Sequence, residues 1–201
     1  APFVTKTVWF SMPGLVASMG VLIDPISAMM LFVVSLISFL VLIYSTGYMT
    51  DDPGYSRFFA FMSLFAASML AMVIATNFLQ MFVFWELVGL CSYLLIGWYF
   101  HKISAREAGK KAFMTTRIGD FGLLLGILFL QIAFGTLDFG ELAVKVPAYV
   151  QQNGAALLTC VALLLFAGPI AKSGQFPLHV WLPDAMEGPT PVSALIHAAT
   201  M

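Results

Sequence analysis

"FVFWELVGLCSYLLIGWYF", residues 82–100, is apolar or aromatic at nearly every position, yet it carries a glutamate, Glu86, well inside the run. A run of this kind reads as a helix made for lipid. A hydrocarbon core of about 30 Å takes about 20 apolar residues at 1.5 Å each. The composition extends that reading to the whole chain, because hydrophobic residues make up 61% of it and charged residues 9%, more apolar surface than one soluble core of this size hides. The expected fold class is all-α, a polytopic membrane protein. Glu86 lies about 12 Å into its span, too deep for so short a side chain to reach water, so it must be protonated or paired.

Residues 1–23, with Pro2, Pro13, Gly14 and Gly20, read as irregular or short extended structure outside the bilayer. Residues 24–201 read as a membrane domain of five spans plus the start of a sixth. Asp24 and Pro25 suit the N-cap and first turn of a span running to Tyr48. The next spans are expected over Phe58–Thr76, Phe78–Phe100 and Ala112–Phe134. Between the last two, the basic connector "HKISAREAGKK" (101–111) faces the cytoplasm or its equivalent by the positive-inside rule. A polar external loop over 135–154, with room for a short surface helix, precedes the fifth span. That span runs into "FAGPIAKSGQFPLHVWLPDAMEGPTP" (166–191), where Gly168, Pro169, Gly174, Pro177 and Pro183 interrupt it. A discontinuous helix at membrane depth survives only where protein or a wet cavity satisfies its freed backbone, and it points to a transport path. A sixth helix starts near Thr190 and Pro191. The chain begins without Met and ends apparently within a helix, so it reads as a fragment.

The net charge of −1 and the absence of basic runs interleaved with aromatics give no reason to expect nucleic acid. Cys91 and Cys160 lack metal-ligand or disulfide spacing and read as packed thiols. The chemistry rests instead on ionisable groups at membrane depth, each costing at least about 2.5–3.5 kcal/mol to insert. These are Glu86, Lys172 beside the break, the Arg117 and Asp120 pair three apart on one helix face, and His197, with His179 a weaker companion. For Arg117 and Asp120 a local packing ion pair stands beside a transport role; His197 and His179 have a plain hydrogen-bonding reading as well. Trp85, Tyr93, Trp98 and Tyr99 read as interface anchors with no catalytic part. A proton route follows if Glu86 approaches Lys172 and stabilises both charges, then withdraws, so that the isolated ammonium releases its proton toward His197.

"WELVGLCSYLLIGWY", "TTRIGD" and above all "AKSGQFPLHVWLPDAMEGPTPVSALIHAATM" resemble the antiporter-like chain 5 (bacterial chain L) family of respiratory complex I, the proton-pumping NADH:quinone oxidoreductase. The resemblance runs from about Asp24 to Met201. It implies a bundle of fourteen or more helices around two inverted repeats, each with a broken helix, of which this chain holds the first repeat only. The five spans would be helices three to seven of that bundle. Glu86 falls on the family's "WE" glutamate, Lys172 on its broken-helix lysine, His197 on the histidine of "LIHAATM", and Arg117 with Asp120 on its "RIGD". Thr116 stands where members commonly have Asn before that arginine, and the family's downstream lysines, second repeat and long lateral helix are absent.

The resemblance also implies that no redox centre resides in this chain. NAD, FMN, iron–sulfur clusters and quinone would belong to partner subunits of the membrane and peripheral arms, with the chain embedded in a bacterial cytoplasmic or mitochondrial inner membrane. The chief alternative is a subunit of a multisubunit Na+/H+ antiporter, a sister family sharing the Glu, the broken-helix Lys and a "GPTPVSA"-like stretch. Membrane-bound hydrogenases and the photosynthetic NDH-type complex use related subunits. A purely structural scaffold, with Glu86 and Lys172 as a packing ion pair, is the third class.

Overall fold

The computed structural model describes residues 2–12 and 14–196. Strands β1 (Phe3–Met12) and β2 (Leu15–Ile23) pair antiparallel, Phe3 opposite Ile23 and Met12 opposite Leu15, with an irregularity between Val8 and Phe10. The segment expected to be irregular or briefly extended is thus a regular hairpin. Its alternation of Val, Thr, Trp and Phe is strand-forming, and Gly14, at φ +86°, turns the chain where other residues are strained.

Among the described residues seven α-helices follow: α1 (Pro25–Tyr48), α2 (Tyr55–Val73), α3 (Phe78–Ile96), α4 (Ile103–Phe134), α5 (Phe139–Asn153), α6 (Ala156–Lys172) and α7 (Thr190–Leu195). The start of α1 is the one expected. Ser27 N–H donates to Asp24 Oδ1 at 2.7 Å and Asp24 N–H donates to Ser27 Oγ at 2.6 Å, a reciprocal cap. Ser27 thereby holds the Asp24 carboxyl below its ordinary range, chiefly through its backbone N–H. At α3 the Asn77 side chain accepts from Gln80 N–H at 2.8 Å.

Several boundaries differ from the sequence reading: α2 covers Tyr55–Val73 where Phe58–Thr76 is expected, α3 ends at Ile96 where Phe100 is expected, and Gly168 and Pro169, read as interruptions, lie inside α6. The basic connector after Phe100 is not a loop: from Ile103 onward it forms the first turns of α4, because Ala, Arg, Glu and Lys are strong helix formers and their long side chains extend past the lipid boundary. The polar segment after Phe134 carries α5, a helix of 15 residues capped by Asp138.

Four described helices, α1 to α4, are long and apolar enough to cross a membrane. The bundle is apolar on its outer surface as well as in its core, and several polar groups are turned inward. Phe32, Phe39, Phe121 and Ile132 face outward, whereas Ser27, Ser38, Ser45, Ser68, Asp120 and Lys172 are buried. Ser45 and Ser68 return their hydroxyls to their own helices, on Val41 and Leu64 carbonyls at 2.7 Å each. The chain is therefore an integral membrane protein.

Helix α6 has 17 residues, about 26 Å, and ends on Lys172 before completing a crossing of about 30 Å. Turns over 173–183 and a short 3₁₀ segment, Asp184–Glu187, lead to α7. Small residues bring α6 against α4. A β-carbon at Gly119 would stand 2.6 Å from the Ala167 carbonyl oxygen, one at Gly122 2.7 Å from Ala167 Cβ, and one at Gly126 2.9 Å from Leu165. Backbones in lipid associate closely through such small-residue faces.

Gly119→Ala should therefore force α4 and α6 apart and destabilise the full-length protein by about 1–3 kcal/mol, read as a lower thermal unfolding midpoint in detergent. Gly47→Ala is the same chemical change on α1, where a β-carbon meets nothing within 4 Å. It should stabilise by about 0.5–1 kcal/mol, read as a higher midpoint.

Candidate functional site

The contact of α4 with α6 sets Asp120 beside the last residue of the interrupted helix. Lys172 Nζ lies 3.7 Å from Asp120 Oδ2, with side-chain exposures of 6% and 2%. Those values leave neither group to bulk water. The ammonium has no hydrogen-bond partner among the described residues. Its nearest wall across α3 is Gly89, where any β-carbon would collide with Nζ; the glycine makes room for the ammonium. A cavity of about 260 Å³ borders Lys172 and is walled by Met69, Met72, Trp85, Val88 and Pro169.

The second oxygen of Asp120 is occupied as well. Trp85 Nε1–H donates to Asp120 Oδ1 at 2.6 Å, and the Trp85 ring centroid is 6.0 Å from Lys172 Nζ. One carboxylate thus serves a tryptophan from α3 and a lysine from α6. A neighbouring pair completes the cluster: Arg117 Nη1 donates to Glu86 Oε2, and the guanidinium lies over the Phe113 ring at 4.6 Å. Both ion pairs cross between helices, Glu86–Arg117 from α3 to α4 and Asp120–Lys172 from α4 to α6.

The ion pairs differ from those expected. Glu86 is joined to Arg117 and not to Lys172, and Arg117 and Asp120 do not pair with each other. The reason is rotational. Three residues leave the two α4 side chains about 60° apart, near enough to pair, but the rotation of α4 turns Arg117 to Glu86 and Asp120 to Trp85 and the end of α6. Glu86 is also only partly enclosed, its side chain 22% exposed.

Of the remaining candidates, His179 is exposed in the turn segment and stacks on Phe176 with ring centroids 5.8 Å apart. It joins no ion pair among the described residues. His197 lies outside the described residues. Thr116 turns its hydroxyl back to the Phe113 carbonyl at 3.1 Å and contributes nothing to either pair. Trp85, read from sequence as an anchor, is the residue that reading missed. Its signal was adjacency to Glu86, since neighbours on a helix differ by about 100° and so address two different partners.

A membrane bundle whose interrupted helix ends on a buried lysine, held against an aspartate of the next helix, is an antiporter-like membrane domain. Comparison with known proteins makes the assignment specific. Residues 75–201 match the family model described as NADH:quinone oxidoreductase/Mrp antiporter, TM, and residues 9–59 match that of NADH-Ubiquinone oxidoreductase (complex I), chain 5 N-terminus. The first match covers more than half of the chain, and the chain belongs to that NADH:quinone oxidoreductase/Mrp antiporter family. It is 55% identical over 195 residues to NAD(P)H-quinone oxidoreductase chain 5 of Synechocystis sp., covering 96% of this chain and 29% of that protein. It is 57% identical to the chloroplastic NAD(P)H-quinone oxidoreductase subunit 5 of Zygnema circumcarinatum, with 96% and 28% covered. Among solved structures, a chain of the Mrp complex from Dietzia sp. superposes with a TM-score of 0.89 at 32% identity, over 100% of this chain and 21% of that one. The chain thus spans less than a third of the length of these relatives.

The observed pairing makes a coupling pattern testable in the full-length protein. Asp120→Asn leaves the buried ammonium uncompensated and should destabilise by about 3–5 kcal/mol, with Lys172→Met on top restoring much of that loss. Glu86→Gln and Arg117→Gln should couple to each other in the same way. A double-mutant cycle on unfolding that found Glu86 coupled strongly to Lys172 instead would contradict the pairing.

Proposed function

We propose that this chain is the proton-translocating part of chain 5 of a quinone oxidoreductase of the complex I type. It moves protons through buried charged side chains while electron transfer to quinone occurs in partner subunits. The observation that carries the reading is Lys172. A lysine ends an interrupted membrane helix, enclosed, beside a cavity, with one carboxylate at 3.7 Å and no hydrogen bond of its own among the described residues. Such an ammonium is held mainly by the charge on Asp120. If Asp120 shifts or is neutralised, the lysine loses that compensating charge and gives up its proton.

Glu86 and Arg117 form the input half of the relay. They sit one residue and one helical turn from Trp85 and Asp120 respectively, so separation of the Glu86–Arg117 pair changes the field at Asp120. Arg117 itself then acts as a second counter-charge for Asp120. His197 is the proposed acceptor beyond Lys172. Residues 1–23 serve as an external segment and 24–201 as the membrane domain, with the basic end of α4 on the cytoplasmic or equivalent side.

The partners are the other membrane-arm subunits of the complex and the surrounding lipid. NAD or NADP, FMN, iron–sulfur clusters and quinone would be bound by those other subunits. The membrane is a bacterial cytoplasmic membrane or its organellar counterpart; the cyanobacterial and chloroplastic relatives add the photosynthetic membrane to the mitochondrial one. A multisubunit Na+/H+ antiporter shares the fold. Identity of 55% to the quinone oxidoreductase chain, against 32% to the Mrp chain, favours the oxidoreductase.

Two measurements test the reading. The tagged full-length protein, extracted in mild detergent, should bring down NAD(P)H or NADH:quinone reductase activity together with flavin and iron–sulfur absorbance; hydrophobic partners alone would select the antiporter. In vesicles holding the assembled complex, Lys172→Met should lower the proton gradient formed per quinone reduced, whereas undiminished pumping would remove Lys172 from the route.

A further inference from the structure

Away from the relay, at the end of the bundle where α2 begins and α3 ends, lies a groove of about 210 Å³. Its walls include Phe61, Tyr93, Trp98 and Phe100, and two guanidinium groups, Arg57 and Arg106, border it. Arg57 lies over the Trp98 ring at 4.8 Å and over Phe100 at 5.6 Å, and among the described residues it has no ion-pair partner. The carboxylates nearby in sequence are otherwise engaged or exposed. Asp52 accepts from Trp98 Nε1–H at 3.1 Å and from Gly54 N–H at 2.7 Å, while Asp51 faces solvent. Arg106 Nε approaches Glu107 only to 3.6 Å, and Lys110 holds that same carboxylate at 2.9 Å.

We infer that this groove binds the headgroup of an acidic phospholipid, its phosphate forked between Arg57 and Arg106 and its acyl chains leaving along the aromatic wall. Guanidinium presents parallel N–H donors that match phosphate oxygens two at a time. Stacking on Trp98 and Phe100 fixes the Arg57 plane before the lipid arrives. The groove sits where the apolar spans give way to the basic first turns of α4, the level at which headgroups lie, and basic pockets between helices on this side take anionic lipids. Lys110 and Lys111 at that end are held by Glu107 and Asp184, whereas Arg57 and Lys102 join no ion pair among the described residues, so an anionic headgroup finds uncompensated cations there. A free phosphate would use the arginines and leave the aromatic wall uncovered. The inference stands on this surface alone and does not depend on the proposed proton route.

Its test uses the full-length protein in its assembled complex and a phosphatidylglycerol carrying a photoactivatable diazirine on the acyl chain. Cross-links mapped by peptide mass spectrometry should fall within residues 57–61 and 93–106. Excess unlabelled phosphatidylglycerol should abolish them, and phosphatidylcholine or inorganic phosphate should not. Arg57→Gln and Arg106→Gln should each reduce labelling about fivefold, while Lys145→Gln, remote on α5, should leave it unchanged. Equal competition by phosphatidylcholine would show ordinary annular lipid and overturn the inference. Equal competition by inorganic phosphate would show a soluble-anion site and overturn the lipid assignment. Should the arginine variants fail to assemble, competition on the unaltered complex decides the matter.

Discussion

An ammonium group enclosed within a lipid-embedded bundle dictates much of this architecture. Lys172 ends α6 short of a full crossing, so its charge cannot reach water by extending along a complete helix. It needs a carboxylate, and Asp120 supplies one only because α4 and α6 approach closely enough for Gly119 and Gly122 to meet Ala171 and Ala167. Gly89 on α3 then vacates the space that Nζ occupies. Small residues on two helices are thus the precondition of the charge on a third. At 3.7 Å, with no hydrogen bond to the ammonium among the described residues, the pair is held loosely enough to be altered by its neighbours.

Helix α3 carries both halves of the cluster, Trp85 for Asp120 and Glu86 for Arg117, so its position matters more than that of any other span. It is fixed at its start by a polar knot. Gln80 exchanges hydrogen bonds with the Gly20 backbone, Nε2–H to the carbonyl at 2.8 Å and N–H to Oε1 at 3.0 Å. Asn77 Nδ2–H donates to the Ser18 carbonyl at 2.9 Å, and Leu22 N–H donates to the Ile74 carbonyl at 2.9 Å. The hairpin is therefore fastened to the α2–α3 turn, and Lys6 ties its outer strand to Asp138 ahead of α5. At the far end, Lys111 and Asp184, 2.6 Å apart, join the start of α4 to the segment beyond the helix break. The helix that bears Arg117 and Asp120 is thereby linked to the chain on both sides of Lys172.

Much of this was legible in the sequence. The apolar runs, the cap at Asp24, the break at Gly174 just beyond Lys172, and the identities of Glu86, Arg117, Asp120 and Lys172 are local properties. A helix in lipid must satisfy its own backbone, so span, cap and interruption are written in consecutive residues. The connector after Phe100 was misjudged because charge suggested a loop, whereas intrinsic propensity in a segment leaving the membrane continues a helix. The N-terminal segment showed its extended character, and its pairing into a hairpin depended on one glycine turn.

The sequence by itself determined that the chain lives in a membrane, where its helices begin and break, and which few residues carry charge into the bilayer. Only the tertiary structure decided which charge meets which. Partners separated by 31 and 52 residues, Glu86 with Arg117 and Asp120 with Lys172, are chosen by the rotation of α4 between α3 and α6 and by the glycines that set the distance between helices. That rotation is a property of packed neighbours. The same side-chain spacing on a differently turned helix would have joined Arg117 to Asp120 and left Lys172 without a counter-charge.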